Sequence, residues 1–128
     1  MKSEKTIWNE LLEVVSRGVF DLESEILMKM NRRAVTNFLD VLILLKLRNS
    51  SFSGYDIISY IHKRFDMLIS SGTVYSCLYH LERDGLIKGE LVQRKRVYML
   101  TENGRETVKT ILGMKDKILG LVLNIVMG

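Results

Sequence analysis

The chain has 128 residues, 47% of them hydrophobic and 27% charged, and a formal net charge of +4. This composition is typical of one globular domain with a buried core and argues against a disordered chain. The single cysteine, Cys77, excludes an internal disulfide, and the two histidines belong to no catalytic or metal-binding motif, so we expect neither an enzyme, a metal site nor a bound cofactor. The first residues lack the continuous hydrophobic run of a signal peptide, so we expect a cytoplasmic protein. We also expect no membrane partner, because the apolar C-terminal tail lacks a basic polar face.

Residues 1–33 are predicted to form a helical extension. Apolar residues recur at helical spacing over residues 6–17 and again over residues 21–31. Gly18 lies just beyond the first run, where a glycine commonly ends a helix. The pattern therefore predicts two short helices. It leaves three roles open for them, which are to strengthen a dimer, to shield the central helix, or to bind another protein.

Residues 34–65 contain two further predicted helices. The segment 34–47 is apolar on nearly all sides, which indicates a central helix buried between neighbours. The polar cluster at residues 49–53 predicts a turn, and Ser53 is a suitable N-cap for a helix over residues 54–65. The last turn of that helix carries cations, including Lys63.

Residues 70–84 are predicted to form a helix with one apolar and one polar face. The residues at the spacing of a buried face are Val74, Cys77, Leu78 and Leu81, and Cys77 is therefore expected to be a buried, unreactive thiol. Ser70 is the expected N-cap, and Gly85 is the expected end of the helix. The other face carries small, polar, aromatic and cationic residues, namely Gly72, Thr73, Ser76, Tyr79, His80 and Arg83. Such a face can enter a DNA groove.

Residues 86–100 are predicted to form two strands joined by a cationic turn. Apolar and polar residues alternate over residues 86–92 and again over residues 96–100, as in half-buried strands. The turn brings together Arg94, Lys95 and Arg96, which suit the phosphates beside a groove. Residues 60–100 carry seven Lys or Arg against four Asp or Glu, so most of the net charge lies in this part of the chain. A helix followed by a cationic hairpin is typical of a winged helix that binds DNA.

Residues 101–128 are predicted to form a long final helix that Thr101 caps. Its apolar positions resemble a heptad seam and comprise Val108, Ile111, Ile118, Val122 and Ile125. The last ten residues are apolar on too many sides for an exposed helix, yet they are too short to cross a bilayer. We expect a second copy of the chain to cover them, since a reader of paired DNA half-sites has two-fold symmetry.

Three segments resemble the winged helix-turn-helix of PadR-type transcriptional regulators. They are Gly54-Tyr55-Asp56-Ile57, then SSGTVYSCLYHLERDGLI over residues 70–87, and RVYMLTENGRE over residues 96–106. The resemblance implies a homodimeric, promoter-binding repressor whose helix 70–84 enters the major groove and whose wing lies over the adjacent backbone. This chain departs from the family at Ser71 and Ser76, where the family often has proline.

The expected fold is mainly α-helical with a small two-stranded β wing. It comprises an N-terminal extension (1–33), a winged helix-turn-helix domain (34–100) and a C-terminal dimerisation helix (101–128). The residues expected to contact double-stranded DNA at a pseudo-palindromic operator are Lys63, Ser70, Ser71, Thr73, Tyr75, Ser76, Tyr79, His80, Arg83, Arg94, Lys95 and Arg96.

Two alternatives stay open. The first is a winged helix that binds an acidic protein instead of DNA. The second is a regulator that responds to a small-molecule effector in a pocket at the dimer interface, although no residue pattern identifies such a ligand. Trp8, the single tryptophan, is expected to pack in a core.

Overall fold

The computed structural model describes residues 3–128, including all of their side chains except those of residues 16, 17, 19 and 20. The chain divides into two compact units, Met1–Thr36 and Asn37–Gly128. From Glu4 onward, the first unit lies in one helix, α1, which spans Glu4–Asn37. The prediction of two helices that end and restart near Gly18 is therefore wrong. A single interior glycine costs a helix only about 1 kcal/mol relative to alanine, and the chain has no proline to end it.

The second unit contains the remaining elements in the order of a winged helix. These are α2 (Leu39–Lys46), β1 (Phe52–Ser53), α3 (Gly54–Phe65), α4 (Ser71–Arg83), β2 (Ile87–Val92), β3 (Lys95–Leu100), α5 (Glu102–Gly113) and α6 (Lys115–Met127). The helix predicted over residues 34–47 is divided at Phe38, whose backbone leaves the helical region (φ −108°, ψ 25°). The predicted final helix is likewise divided, at Met114 (φ −101°, ψ 11°).

The three predicted N-caps are confirmed. The Ser53 hydroxyl accepts the N–H of Asp56 at 3.1 Å, and the Asp56 carboxylate accepts the N–H of Ser53 at 3.0 Å, which completes a capping box. The Ser70 hydroxyl accepts the N–H of Thr73 at 3.1 Å. The Thr101 hydroxyl accepts the N–H of Gly104 at 3.1 Å. These bonds fix where α3, α4 and α5 begin.

The sheet has three antiparallel strands in the order β1-β3-β2. Strands β2 and β3 form the predicted wing, and β1 adds a third strand through the pairs Phe52–Tyr98 and Ser53–Val97. A strand of two residues is too short to show alternation, so the sequence pattern did not reveal it. At the tip of the wing, Gln93 and Arg94 both have positive φ (50° and 65°), as in the type I′ turn that suits a two-residue hairpin.

The core of the second unit lies between α2, α3, α4 and the base of the wing. Its fully buried side chains are Ile43, Ile57, Ile61, Val74, Leu78 and Ile87. They come from four elements that the hydrophobic pattern had identified, and their burial holds α4 with one face inward. No helix within residues 3–128 is long and apolar enough to cross a membrane.

Candidate nucleic-acid interface

Helix α4 presents a polar face to the solvent. Val74, Leu78 and Leu81 are buried on its inner side. The exposed side chains on its other side are those of Ser71, Thr73, Tyr75, Ser76, Tyr79, His80 and Arg83. The structure therefore brings together, on one helix surface, the residues that the sequence assigned to a DNA groove.

The first turn of α4 is suited to binding an anion. The Ser70 and Thr73 hydroxyls hydrogen-bond each other at 2.7 Å, and Ser70 also caps the Thr73 N–H. Helix geometry leaves the N–H groups of Ser71 and Gly72 without an intrahelical acceptor, so they are directed out of the helix end. An added Cβ at Gly72 would meet no atom within 4 Å, so this turn is open to an approaching backbone. Phosphate oxygens are the natural acceptors for such amides.

Tyr75 joins the start of α4 to the start of α3. A Cβ placed on Gly54 would lie 2.5 Å from ring carbons of Tyr75, so only glycine permits this approach. Tyr55, the next residue, is 68% exposed in the first turn of α3. Tyr55 is not among the site residues predicted from the sequence. The spacing of the apolar residues Ile57 and Ile61, which face the core, nevertheless places Tyr55 on the outer side of α3.

His80 is fixed by its own helix. Its Nδ1–H donates to the Ser76 carbonyl oxygen at 2.6 Å, because a carbonyl can only accept. The ring also packs edge to face with Tyr79 at a centroid distance of 5.7 Å. The remaining nitrogen, Nε2, is the ring atom left to meet a partner. No group of three or more His, Cys, Asp or Glu residues among those described could hold a metal ion.

Cys77 lies at the edge of the buried side of α4 and is half-buried. Desolvation, with a smaller contribution from the charge of Asp40, raises the pKa of the Cys77 thiol to about 11. The thiolate is therefore scarce at neutral pH, in agreement with the expectation of an unreactive thiol.

The exposed cations differ in how strongly the protein holds them. Arg94, at the tip of the wing, forms no hydrogen bond or ion pair with any other residue in the described part of the chain. Lys95 Nζ lies 3.8 Å from a carboxylate oxygen of Asp56, and Arg83 Nε lies 3.3 Å from a carboxylate oxygen of Asp84. Such exposed ion pairs contribute little to the stability of the fold, so a phosphate can replace the carboxylate as the partner of the cation. Lys63 is exposed near the end of α3.

Arg96 is exposed, like the other cations of the turn, but Glu82 holds it in place. Its Nη2 donates to both carboxylate oxygens of Glu82, at 2.9 and 3.0 Å, and its guanidinium lies over the Tyr98 ring at 5.6 Å. The N–H of Gly89 donates to the same carboxylate at 2.7 Å. The Gly89 N–H, and then Arg96, lower the pKa of Glu82 below its usual value. The guanidinium is therefore already paired with a carboxylate, and a phosphate contact from Arg96 stays a prediction.

The predicted dimer residues divide between the core and the surface. Val108 is buried within its own chain, so it is not available to a second copy. Ile111 and Ile118 are partly exposed, Val122 is exposed, and Ile125 is 80% exposed. Beyond Ile118, α6 also exposes Leu119, Leu121, Leu123, Val126 and Met127.

A helix-turn-helix followed by a β hairpin, with a polar exposed face on the second helix and cations at the hairpin tip, defines a winged helix-turn-helix of the DNA-binding kind. Residues 41–110 match the model of the transcriptional regulator PadR-like family. The chain therefore belongs to the PadR-like family, whose members are transcriptional regulators and not enzymes.

Solved structures agree with this assignment. The chain is similar to a PadR family transcription regulator from Clostridium difficile R20291, with 25% identity and a TM-score of 0.60 over 71% of this chain and 99% of that one. A transcriptional regulator from Clostridium thermocellum is 26% identical, with a TM-score of 0.59 over 72% and 92% of the two chains. No curated protein matches the chain.

One solved structure similar to this chain contains DNA. It is Bacillus subtilis PadR in complex with operator DNA, with 30% identity and a TM-score of 0.53. The match covers 58% of this chain and 46% of that one.

Proposed function

We propose that this protein is a sequence-specific regulator that binds double-stranded DNA as a homodimer. In this proposal α4 enters the major groove, and the tip of the wing lies on the adjacent backbone. The observation that carries the proposal is the exposed polar face of α4, which is free of the protein core along its whole length. The similarity to Bacillus subtilis PadR, whose structure was solved in complex with operator DNA, supports the proposal that this chain binds DNA.

The exposed residues divide by chemistry into readers of bases and holders of phosphates. We assign base contacts in the major groove to Thr73, Ser76, Tyr79, His80 and Arg83, whose side chains extend from the outer side of α4. We assign backbone contacts to Lys63, Arg94 and Lys95 and to the first turn of α4 at Ser70 and Ser71. Tyr75 supports this surface by packing against Gly54.

The apolar surface of α6 is the proposed dimer interface. Val122 and Ile125 are exposed, and they are surrounded by further exposed leucine, valine and methionine side chains. An apolar surface of this kind is covered by a partner in most proteins. A second copy related by two-fold symmetry would present two α4 helices to two half-sites, which predicts a pseudo-palindromic operator. We further propose repression, since a dimer that occupies a promoter excludes other proteins without needing another active surface.

Selection of bound duplexes from a random pool tests this function. We expect a consensus with two inverted half-sites, and affinity for it should fall steeply with salt, with a log–log slope of about −0.9 for each neutralised phosphate. Absence of duplex binding at low salt would overturn the proposal and favour a winged helix that binds an acidic protein.

A further inference from the structure

Glu82 connects the outer helix α4 to both strands of the wing. Its carboxylate accepts the Gly89 N–H of β2 at 2.7 Å and the Arg96 guanidinium of β3 at 2.9 and 3.0 Å. One side chain near the end of α4 thus binds the backbone of one strand and the side chain of the other. Charge-assisted bonds of this kind are the strongest polar contacts in a protein surface.

Gly89 is required for this arrangement. A Cβ at that position would lie 2.6 Å from Arg96 Nε and 2.7 Å from Nη2. Any larger residue would push the guanidinium away from Glu82. The three residues follow one another at intervals of seven along the chain, and together we call them the Glu82 cluster (Glu82, Gly89 and Arg96).

The Glu82 cluster lies where the hydrophobic support of the wing ends. Ile87 and Leu100, at the base of the wing, are buried, whereas Leu91, nearer the tip, is 75% exposed. Arg96 is the residue paired with Leu91 across the two strands. Backbone pairing between β1 and β3 stops at the Ser53–Val97 pair. Beyond it, the ion pairs that the described residues form between the wing and the rest of its unit are those of Arg96 with Glu82 and of Lys95 with Asp56. The angle between α4 and the part of the wing beyond the Ser53–Val97 pair therefore depends on a few polar bonds.

We propose that Glu82 is a positioning residue for DNA binding, which holds the wing at the angle where its tip meets the backbone while α4 occupies the groove. This inference rests on the proposed function above. Glu82 itself is an anion beside a polyanion, so by charge alone it weakens DNA binding. Its contribution comes instead from pre-organisation, because a wing already held in place loses less conformational freedom when Arg94 binds phosphate.

The test compares two substitutions that each neutralise a carboxylate, one at the end of α4 beside the wing and one in strand β2 of the wing. Glu82→Gln keeps an acceptor for the Gly89 N–H but loses the charge that binds Arg96. Glu90→Gln is the control, since Glu90 is an exposed carboxylate of β2 paired with Lys88 at 3.5 Å. Each variant removes one negative charge, so simple electrostatics predicts equal or tighter DNA binding for both.

We expect Glu82→Gln to weaken binding to the selected operator by about tenfold, and Glu90→Gln to leave it unchanged or strengthen it. Hydroxyl-radical footprinting should show loss of protection at the deoxyriboses under the wing. Protection of guanine N7 from dimethyl sulfate, which reports on the major groove, should be retained. Circular dichroism and sedimentation of each variant establish that the fold and the dimer persist. A merely structural role for Glu82 would reduce protection at both places together.

A double-mutant cycle with Arg96→Met completes the test. If both residues act through one bond, Glu82→Gln combined with Arg96→Met should bind no more weakly than the weaker single variant. Additive losses, or a Glu82→Gln variant with wild-type affinity and an intact footprint, would overturn this inference while the proposed function stands. Failure of the wild-type chain to bind any duplex would instead remove both.

Discussion

The ring of Tyr75 in α4 lies directly against Gly54 in α3, at a distance that leaves no room for a Cβ on the glycine. The contact joins the first turn of α3 to the second turn of α4, because Gly54 is the first residue of α3 and Tyr75 lies one turn after Ser71, the first residue of α4. The relative placement of the two helices of the helix-turn-helix therefore depends on a residue with no side chain.

Gly54→Ala should displace the Tyr75 ring toward solvent. Since the ring is about half exposed and can move, we expect a loss of about 1 kcal/mol in the free energy of unfolding, at the low end for overpacking. Urea denaturation of the variant and the wild type measures this loss. Gly72→Ala is the matched control, because an added Cβ there meets no atom within 4 Å and alanine favours a helix. Equal stability of the two variants would contradict this reading of the contact.

Ser53→Ala should destabilise α3 by about 1 kcal/mol, because the hydroxyl that caps the helix is lost. Ser53 is buried, so water has little access to the Asp56 N–H once the hydroxyl is removed. Thermal denaturation at neutral pH checks this. A variant as stable as the wild type would show that the capping box contributes nothing to the fold.

The Asp56 carboxylate should make the protein sensitive to acid. The Ser53 N–H, followed by the Ser53 hydroxyl, lowers the pKa of Asp56 below 3.8, so the ionised form is favoured in the folded state. The resulting stabilisation is fully present at neutral pH and is lost as the pH falls below about 4, through the lowered pKa. Asp56→Asn should flatten the pH dependence of stability in this range. A curve parallel to that of the wild type would be inconsistent with the capping box as its cause.

Arg94→Ala and Lys95→Ala should weaken binding to all duplexes alike, and each should reduce the salt slope by about 0.9. Substitutions of Thr73, Ser76 or Tyr79 should instead change which sequences are preferred. Fluorescence anisotropy with the selected operator and a scrambled duplex separates the two effects. Lys109→Ala, an exposed cation on α5, is the control. Uniform losses from both groups would contradict the division between backbone and base contacts.

Val122→Asp and Ile125→Asp should dissociate the homodimer, because each would place a charge in the proposed apolar interface of α6. Sedimentation velocity measures the change, and operator affinity should fall with it, since paired half-site binding is lost. Asn124→Asp is the control, because Asn124 is the polar residue of the same exposed stretch. A wild-type chain that sediments as a monomer would contradict the interface itself.

Local patterns in the sequence were sufficient to predict most of the helices and strands of the second unit. The caps at Ser53, Ser70 and Thr101 and the alternation in the wing depend on residues within a few positions of one another, so a linear pattern records them. Gly18 shows the limit of such signals, because a glycine ends a helix only where the following residues cannot continue it.

Contacts between distant residues were not predictable in the same way. Glu82 and Arg96 are separated by fourteen positions, and their bond exists only because the wing folds back beside α4. For the same reason the sequence could not show that Arg96 is paired with Glu82, and it placed the buried Val108 with the residues of a dimer seam. The charge run and the heptad spacing are present in the sequence, but the packing of the strands and helices determines which side chains are paired and which are accessible.

The backbone at the apex of the wing has a further consequence. Gln93 and Arg94 both occupy left-handed conformations, where a residue with a side chain is disfavoured by roughly 1–2 kcal/mol and where Asn-Gly is the preferred pair. A hairpin optimised for resistance to heat would therefore carry glycine in place of Arg94. The protein instead has a strained apex that carries a cation, and under the proposed function this apex exchanges some stability of the fold for a contact with phosphate.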